Sequence, residues 1–336
     1  MKRWKNRPEG SNWGEFGEDD QIGRLNLITP EKIKVAAQEI QSGERFCLSL
    51  PLDLPGGNLL NAGRHPPKLQ PTLRGELPNS NYRLSADFEQ FRDVISDDAV
   101  FLHLQYSSQW DGLSHVGHEF DADGDGVAEA VYYNGYRADQ HIGTSAHNGE
   151  MKASALGIEK MAEAGVQGRG VLVDLEGEFG RDAVSVGYDD LMRTLDAQKI
   201  SVEEGDMLCL HTGFAQMLVE MNGQPDKDRL HNSCATLNGR DEKLLNWITD
   251  TGLSVIIADN YAVETYPAKT GGDCCAALPL HEHCLFKLGI HLGELWHLTP
   301  LRNWLKEHDR YRFFLTAPPL RLPGAVGSPA NPVATV

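Results

Sequence analysis

The sequence predicts a mixed α/β fold, and three observations predict it. Short apolar runs of strand length, such as residues 171–175 and 254–258, interleave with amphipathic helical stretches such as Tyr188–Gln198. Hydrophobic residues make up 40% of the 336-residue chain, enough for a substantial core. The alternation is not strict enough for a closed barrel or a doubly wound sheet. One domain over residues 1–336 is expected, because α/β domains often exceed the usual length of about 150 residues.

The elements follow in chain order. Residues 8–28 are rich in Gly, Asn, Asp and aromatics around Trp13-Gly14-Glu15-Phe16-Gly17, and read as an ordered loop, since Trp and Phe are wasted in solvent. Thr29 caps a helix with Pro30 in its first turn; Ile33, Ala36, Ala37 and Ile40 form its apolar stripe and Gly43 ends it. Residues 45–50 form a strand stopped by Pro51. The many Gly, Pro and Asn of residues 54–90 predict an extended loop over one face of the core. A strand at 100–104 and a loop-rich stretch at 119–150 come next. Helical periodicity returns at 153–164 and over Tyr188–Gln198, and a strand fills 206–211 after the turn Glu204-Gly205. A helix at 243–250 leads to strands at 254–258 and 289–292, the last running into Glu294; residues 313–315 close the core. The Pro- and Gly-rich tail, 318–336, is expected to be irregular.

Charge narrows the function. Against 31 Lys and Arg stand 48 Asp and Glu, a net −17 that repels nucleic acid and anionic membranes. No apolar run reaches membrane-spanning length, and the basic N-terminus has no apolar stretch behind it. Of six cysteines, Cys274 and Cys275 are neighbours, a poor disulfide arrangement, and no C-x-x-C pair offers a thiolate zinc site. A cytoplasmic protein in a reducing compartment is expected. Neither a Gly-rich nucleotide loop nor a G-x-S-x-G elbow occurs. Asp121-Ala122-Asp123-Gly124-Asp125-Gly126 opens like a calcium loop, but its twelfth position is Tyr132 instead of Glu, and a tight acidic turn is the better reading.

Two polar pairs carry the chemistry. Asp111 and His115 lie four residues apart just past a strand; His281 and Glu294 lie far downstream. Carboxylate and imidazole are ligands for a divalent metal, and a metal turns water into a nucleophile near neutral pH. If the pairs meet, the chain is a metal-dependent hydrolase.

Several stretches together resemble the metal-dependent cyclase/formamidase superfamily, the group that contains bacterial kynurenine formamidase and isatin hydrolase. Its signature H-x-x-x-H-x-D-x-x-x-H aligns with Gln105 through His115, with Asp111 and His115 matching and Gln105 and Gln109 replacing the first two histidines. Trp13-Gly14, Leu25 through Pro30, Tyr132-Tyr133-Asn134-Gly135, Gly205-Asp206, His211-Thr212-Gly213, Ala258-Asp259-Asn260, the His281 to Glu294 spacing and the tail from Ala317 to Pro329 are also similar. The resemblance implies a swivelling β/β/α fold. It implies metal ligation by Asp111, His115 and Glu294 and proton transfer by His281; from the residue chemistry, Gln109 is a further ligand candidate and Asp111 is expected to steer the water through its free oxygen. Because glutamine is a weak zinc ligand, one metal is expected, Mn²⁺ or Zn²⁺, with Gln105 ligating nothing or orienting a ligand.

The expected reaction is hydrolysis of an amide, lactam or ester bond in a small cyclic or aromatic substrate. Trp110, His118 and Tyr133 are expected to contact it, with Trp13 and Phe16 as further wall candidates. A non-hydrolytic metal or ligand binder, motivated by the two glutamines, and a lyase or dehydratase are the alternatives. Partners are a small-molecule substrate and further copies of the chain in a homo-oligomer.

Overall fold

A computed structural model describes residues 2–144, 149–268 and 276–336; His147, Cys274 and Cys275 lie outside the described residues. Its largest sheet has nine strands: β1 (Arg45–Cys47), β2 (Gln109–Asp111), β3 (Gln167–Asp174), β4 (Met207–His211), β5 (Val255–Ala258), β6 (His291–Glu294), β7 (Arg312–Thr316), β8 (Gly327–Pro329) and β9 (Val333–Thr335). Their spatial order is β1-β9-β7-β3-β4-β5-β6-β2-β8. Strands β3 to β6 run parallel, and both flanks are antiparallel. The mixed α/β expectation holds.

The parallel centre follows from the helices between its strands. Helix α1 is Pro30–Ala36, α2 Tyr188–Gln198, α3 Phe214–Met221, α4 Glu242–Thr251 and α5 Thr299–Glu307. The Thr29 side chain caps α1 as expected, accepting from the Lys32 amide, and Asp241 caps α4. Parallel strands are covered on both faces and so read as continuous apolar runs. Side chains alternate across the pleat. Leu208, Leu210, Ile256 and Ala258 pack with Leu191 and Leu195 of α2 and Leu244 and Ile248 of α4. Met207, Cys209, Val255 and Ile257 pack on the other side with Leu301 and Leu305 of α5.

The N-terminal loop is ordered, as its aromatics predict. Trp13 is buried, its indole N–H donates to Phe286 O, and its ring meets Phe286 edge-on at 5.2 Å. Asn134, held at φ +56°, donates to the carbonyls of Gly17, Glu18 and Asp20 and accepts from Gly14 N. The Tyr-Asn-Gly motif is thus a clamp on this loop.

Two expectations are corrected. The tail is not irregular: β8 pairs with β2, and β9 lies between β1 and β7. Strands of three residues containing Gly or flanked by Pro carry no readable periodicity. Residues 54–90 form a loop over the core only up to the ribbon: Leu54 and Leu60 pack with Phe214 and Leu218, and strand pairing begins at Lys68. Lys68–Pro71 pairs with Asp98–Phe101, and two shorter ladders, Leu73–Arg74 with Leu77–Pro78 and Tyr82–Arg83 with Val94–Ile95, continue the ribbon. Leu69, Leu73, Leu77, Phe88, Val94, Val100 and Phe101 along it are exposed. The strand expected at 100–104 therefore belongs to this ribbon and not to the central sheet. No helix among the described residues is long and apolar enough to cross a membrane.

Candidate metal centre

The two polar pairs meet because β2 lies antiparallel to β6, with Gln109 opposite Glu294 and Asp111 opposite Leu292. The pleat sends Gln109, Asp111 and Glu294 to one face and Trp110 to the other. His281 arrives from the one-turn helix Pro279–His281, which widens into the π-helical turn Glu282–Leu288. Its Nε2 lies 3.4 Å from Glu294 Oε1 and 3.8 Å from Asp111 Oδ2. All three side chains are buried, and one ligand atom from each lies within 4.8 Å of the others.

His115 stands at the edge of this group. Its Nε2 is 3.9 Å from Asp111 Oδ1, its Nδ1 is 3.1 Å from Gln105 Nε2, and its side chain is 23% exposed. The expected ligand set included His115 and gave His281 the proton; the distances instead put His281 inside the group and His115 beside it. Gln109 also braces the carboxylates. Its amide nitrogen donates to Asp111 Oδ1 at 3.3 Å and Glu294 Oε2 at 3.1 Å, which holds the two carboxylates together. Gln105 Nε2 donates to the same Asp111 oxygen.

Sequence reading missed Glu264. Its buried carboxylate accepts from Leu280 N, His281 N and, at 2.8 Å, His281 Nδ1. That contact fixes the ring and leaves Nε2 facing the carboxylate pair, the usual arrangement of a metal-binding histidine. Glu264 follows Ala262 and Val263, both at positive φ (+70° and +58°), a turn that costs a β-branched residue of the order of 1–3 kcal/mol. No spacing motif announces such a residue; the one available signal was an acid in a short polar stretch after a core strand.

The electrostatics fit a cation. Burial alone would push the His281 imidazole down, but the hydrogen bonds and charges of Glu264 and Glu294 outweigh it and raise it to about 10. Burial and the neighbouring Asp111 hold the Glu294 carboxyl above its ordinary range. Asp111 Oδ2 and Gln109 Oε1 are buried with no hydrogen-bond partner. Unpartnered oxygens beside two packed carboxylates are costly unless a positive ion completes them. The donor set of two carboxylates and one imidazole suits Mn²⁺ or Zn²⁺.

The group opens into a cavity of about 200 Å³, also lined by Asn61, Arg64, His115, Tyr261 and Tyr266. Of the residues expected to touch substrate, Trp110, His118 and Tyr133 do not line it. Trp110 is on the far side of the pleat, edge-on to Trp296 at 4.9 Å, with its N–H on Ala317 O. Tyr133 is buried with its hydroxyl on Asp20, and His118 lies 5.6 Å from the Phe286 ring. Trp13 is committed to the same aromatic cluster, and Phe16 is likewise away from the cavity. His283, neighbour of His281, turns to Thr249 Oγ1, and burial pushes it down to about 4.

The remaining shared motifs are structural in their contacts. Asp259 accepts from Thr212 N, Thr212 Oγ1 and Gly213 N at the start of α3, and Asp206 pairs with Arg169 at 2.7 Å. His211, Asp174 and Glu176 form a second cluster, but Arg181 and Arg302 already pair with Glu176. In the Asp121 turn, the carboxylates accept from the loop's own amides, as an acidic turn would.

A parallel-centred sheet with helices on both faces, carrying a buried carboxylate–imidazole group at the end of β6, defines a cyclase-like α/β protein. The family described as "Putative cyclase" matches residues 48–265, and the chain belongs to it. A solved structure described as a novel cyclase is 33% identical, covers 97% of this chain and of its own length, and superposes with a TM-score of 0.75. Two more distant structures share the fold. An isatin hydrolase bound to the product analogue thioisatinate is 12% identical over 90% of this chain and 95% of its own, with a TM-score of 0.54. Isatin hydrolase A from Ralstonia solanacearum is 13% identical over 89% and 93%, with a TM-score of 0.53. No functionally curated protein matches the chain.

Proposed function

We propose that this protein is a metal-dependent hydrolase that cleaves an amide, lactam or ester bond in a small cyclic or aromatic substrate. The observation that carries the reading is the convergence of Asp111, His281 and Glu294, with an orphaned buried oxygen, on the floor of an open cavity. A divalent cation held by these three, one Mn²⁺ or Zn²⁺, supplies Lewis acidity: it acidifies water and polarises a carbonyl. Glu264 fixes the His281 ring so that Nε2 points inward. Gln105 and Gln109 hold the carboxylates by donating to them, while the Gln109 carbonyl oxygen, buried and unpartnered, stays available to the ion. His115, partly open to the cavity, moves the proton between the attacking water and the leaving group; His281 is too enclosed by the carboxylates for that task.

Hydrolase-named structures of the same fold make lactams such as isatin, aryl formamides and aryl esters the first panel to try. The test pairs metal content with turnover. His281→Ala is expected to lose the cation. His115→Ala is expected to keep it while kcat falls by roughly 10²–10⁴. A His115→Ala variant with full turnover would remove His115 from the chemistry. Product mass separates hydrolysis, which adds one water, from a lyase reaction at the same group.

A further inference from the structure

Among the described residues, the cavity over the carboxylate–imidazole group is lined by one arginine and no lysine; the arginine is Arg64. Its Nη1 donates to Gln105 O at 2.6 Å, which anchors the guanidinium at the cavity wall. No carboxylate lies within ion-pair distance of it among the described residues, although most arginines that are similarly half-buried, such as Arg137, Arg169 and Arg302, are paired. Arg64 is near enough to Glu294 for its charge to act on that carboxyl. With a divalent cation beside Asp111 and Glu294, and the Glu264 oxygens engaged by Leu280 N, His281 N and His281 Nδ1, the guanidinium at the cavity is left without a carboxylate in direct contact.

The surroundings complete a recognition corner. Tyr261 and Tyr266 stand edge-on to each other, centroids 6.4 Å apart, and form an aromatic wall. Asn61 Nδ2 donates to the Tyr261 hydroxyl at 3.1 Å, leaving the phenolic hydrogen free to point elsewhere. A planar guanidinium with free N–H groups matches a carboxylate's two oxygens, and an aromatic corner takes a flat body.

We propose that Arg64 is the specificity-determining residue for an anionic substrate: a small flat acid whose carboxylate pairs with the guanidinium while its scissile acyl group reaches the metal group. The proposal rests on the hydrolase reading above and names the substrate class for that same site. Arg64 is a binding residue in it and takes no part in moving protons.

Benzoate and its neutral isostere benzamide are the probes, titrated calorimetrically into the Mn²⁺-loaded full chain. The wild type is expected to bind benzoate at least about tenfold more tightly than benzamide. Arg64→Met is expected to keep its Mn²⁺ and lose that preference, whereas Arg64→Lys, with charge but no fork, keeps part of it. Benzoate affinity unchanged in Arg64→Met means that the carboxylate sits on the metal alone and overturns the proposal. Equal affinities in the wild type, or no preference in Arg64→Lys, overturn it as well. Loss of Mn²⁺ from Arg64→Met makes Arg64 a structural group and also overturns it. In each of these cases wild-type metal binding leaves the hydrolase reading standing; a wild type that binds neither Mn²⁺ nor Zn²⁺ ends both.

Discussion

At the scale of single residues, the carboxylate–imidazole group links a proton to the cation it would hold. Below about pH 10 His281 carries a proton between Glu264 and Glu294, and a cation has to displace it. Mn²⁺ affinity is therefore expected to rise with pH, by up to about tenfold per unit for one proton, and calorimetry in buffers of different ionisation heat reads the release directly. Affinity that is flat between pH 6 and 9 would contradict this. The sign for stability is opposite. A histidine whose folded pKa is raised contributes its full share below its ordinary value of 6.5 and loses it as pH climbs toward 10, so the metal-free protein is expected to melt at lower temperature across that window. Glu264→Gln should weaken Mn²⁺ binding by roughly 10–100-fold without touching the ion, because it perturbs the histidine that does. The make-up of the group was partly legible: Asp111, His281 and Glu294, which the fold brings together, could be named from the resemblance to the family. The roles of His115 and His281 could not be, since both are histidines beside the same acid and only the direction of each ring distinguishes them. Glu264 was invisible because its position depends on the turn at Ala262 and Val263.

At the scale of elements, long periodic segments were readable and short ones were not. Tyr188–Gln198 and the helix around 243–250 announce themselves by an apolar stripe and their ends, and β3, β4 and β5 by buried β-branched and aliphatic runs. Three-residue β2, β8 and β9 give no such pattern, yet β2 holds two residues of the metal group. Pairing alone defines them. Gly112 shows how tight that pairing is: a Cβ there would sit 2.9 Å from Val326 O. Gly112→Ala is expected to push β2 off the tail, costing about 1–3 kcal/mol in urea unfolding and weakening Mn²⁺ binding in parallel. Trp110→Ala should cost more, about 3–5 kcal/mol, since the ring is buried against Trp296. If Trp110 instead contacted substrate, the loss would appear in KM with stability intact.

At the scale of the whole molecule, the ribbon between residues 68 and 101 stands out because its hydrophobic side chains face solvent. A two-stranded ribbon is marginal by itself in water, and a contiguous apolar surface is normally covered. The homo-oligomer expected from the sequence would cover it with a second copy of the chain. Light scattering is expected to give a mass above the 37.1 kDa of one chain, and removal of residues 72–96 should lower it while Mn²⁺ binding persists; a full-length monomer would refute the idea. The sheet order carries a further consequence. Strand β2 lies between β6 and β8, which come far later in the chain; Gln109 meets Glu294 across 185 residues. On the ribosome, then, Asp111 waits without His281 and Glu294 until nearly everything downstream has been translated. Nascent chains stalled before residue 291 should be unable to capture Mn²⁺, so the ion can seal a finished fold but cannot seed one.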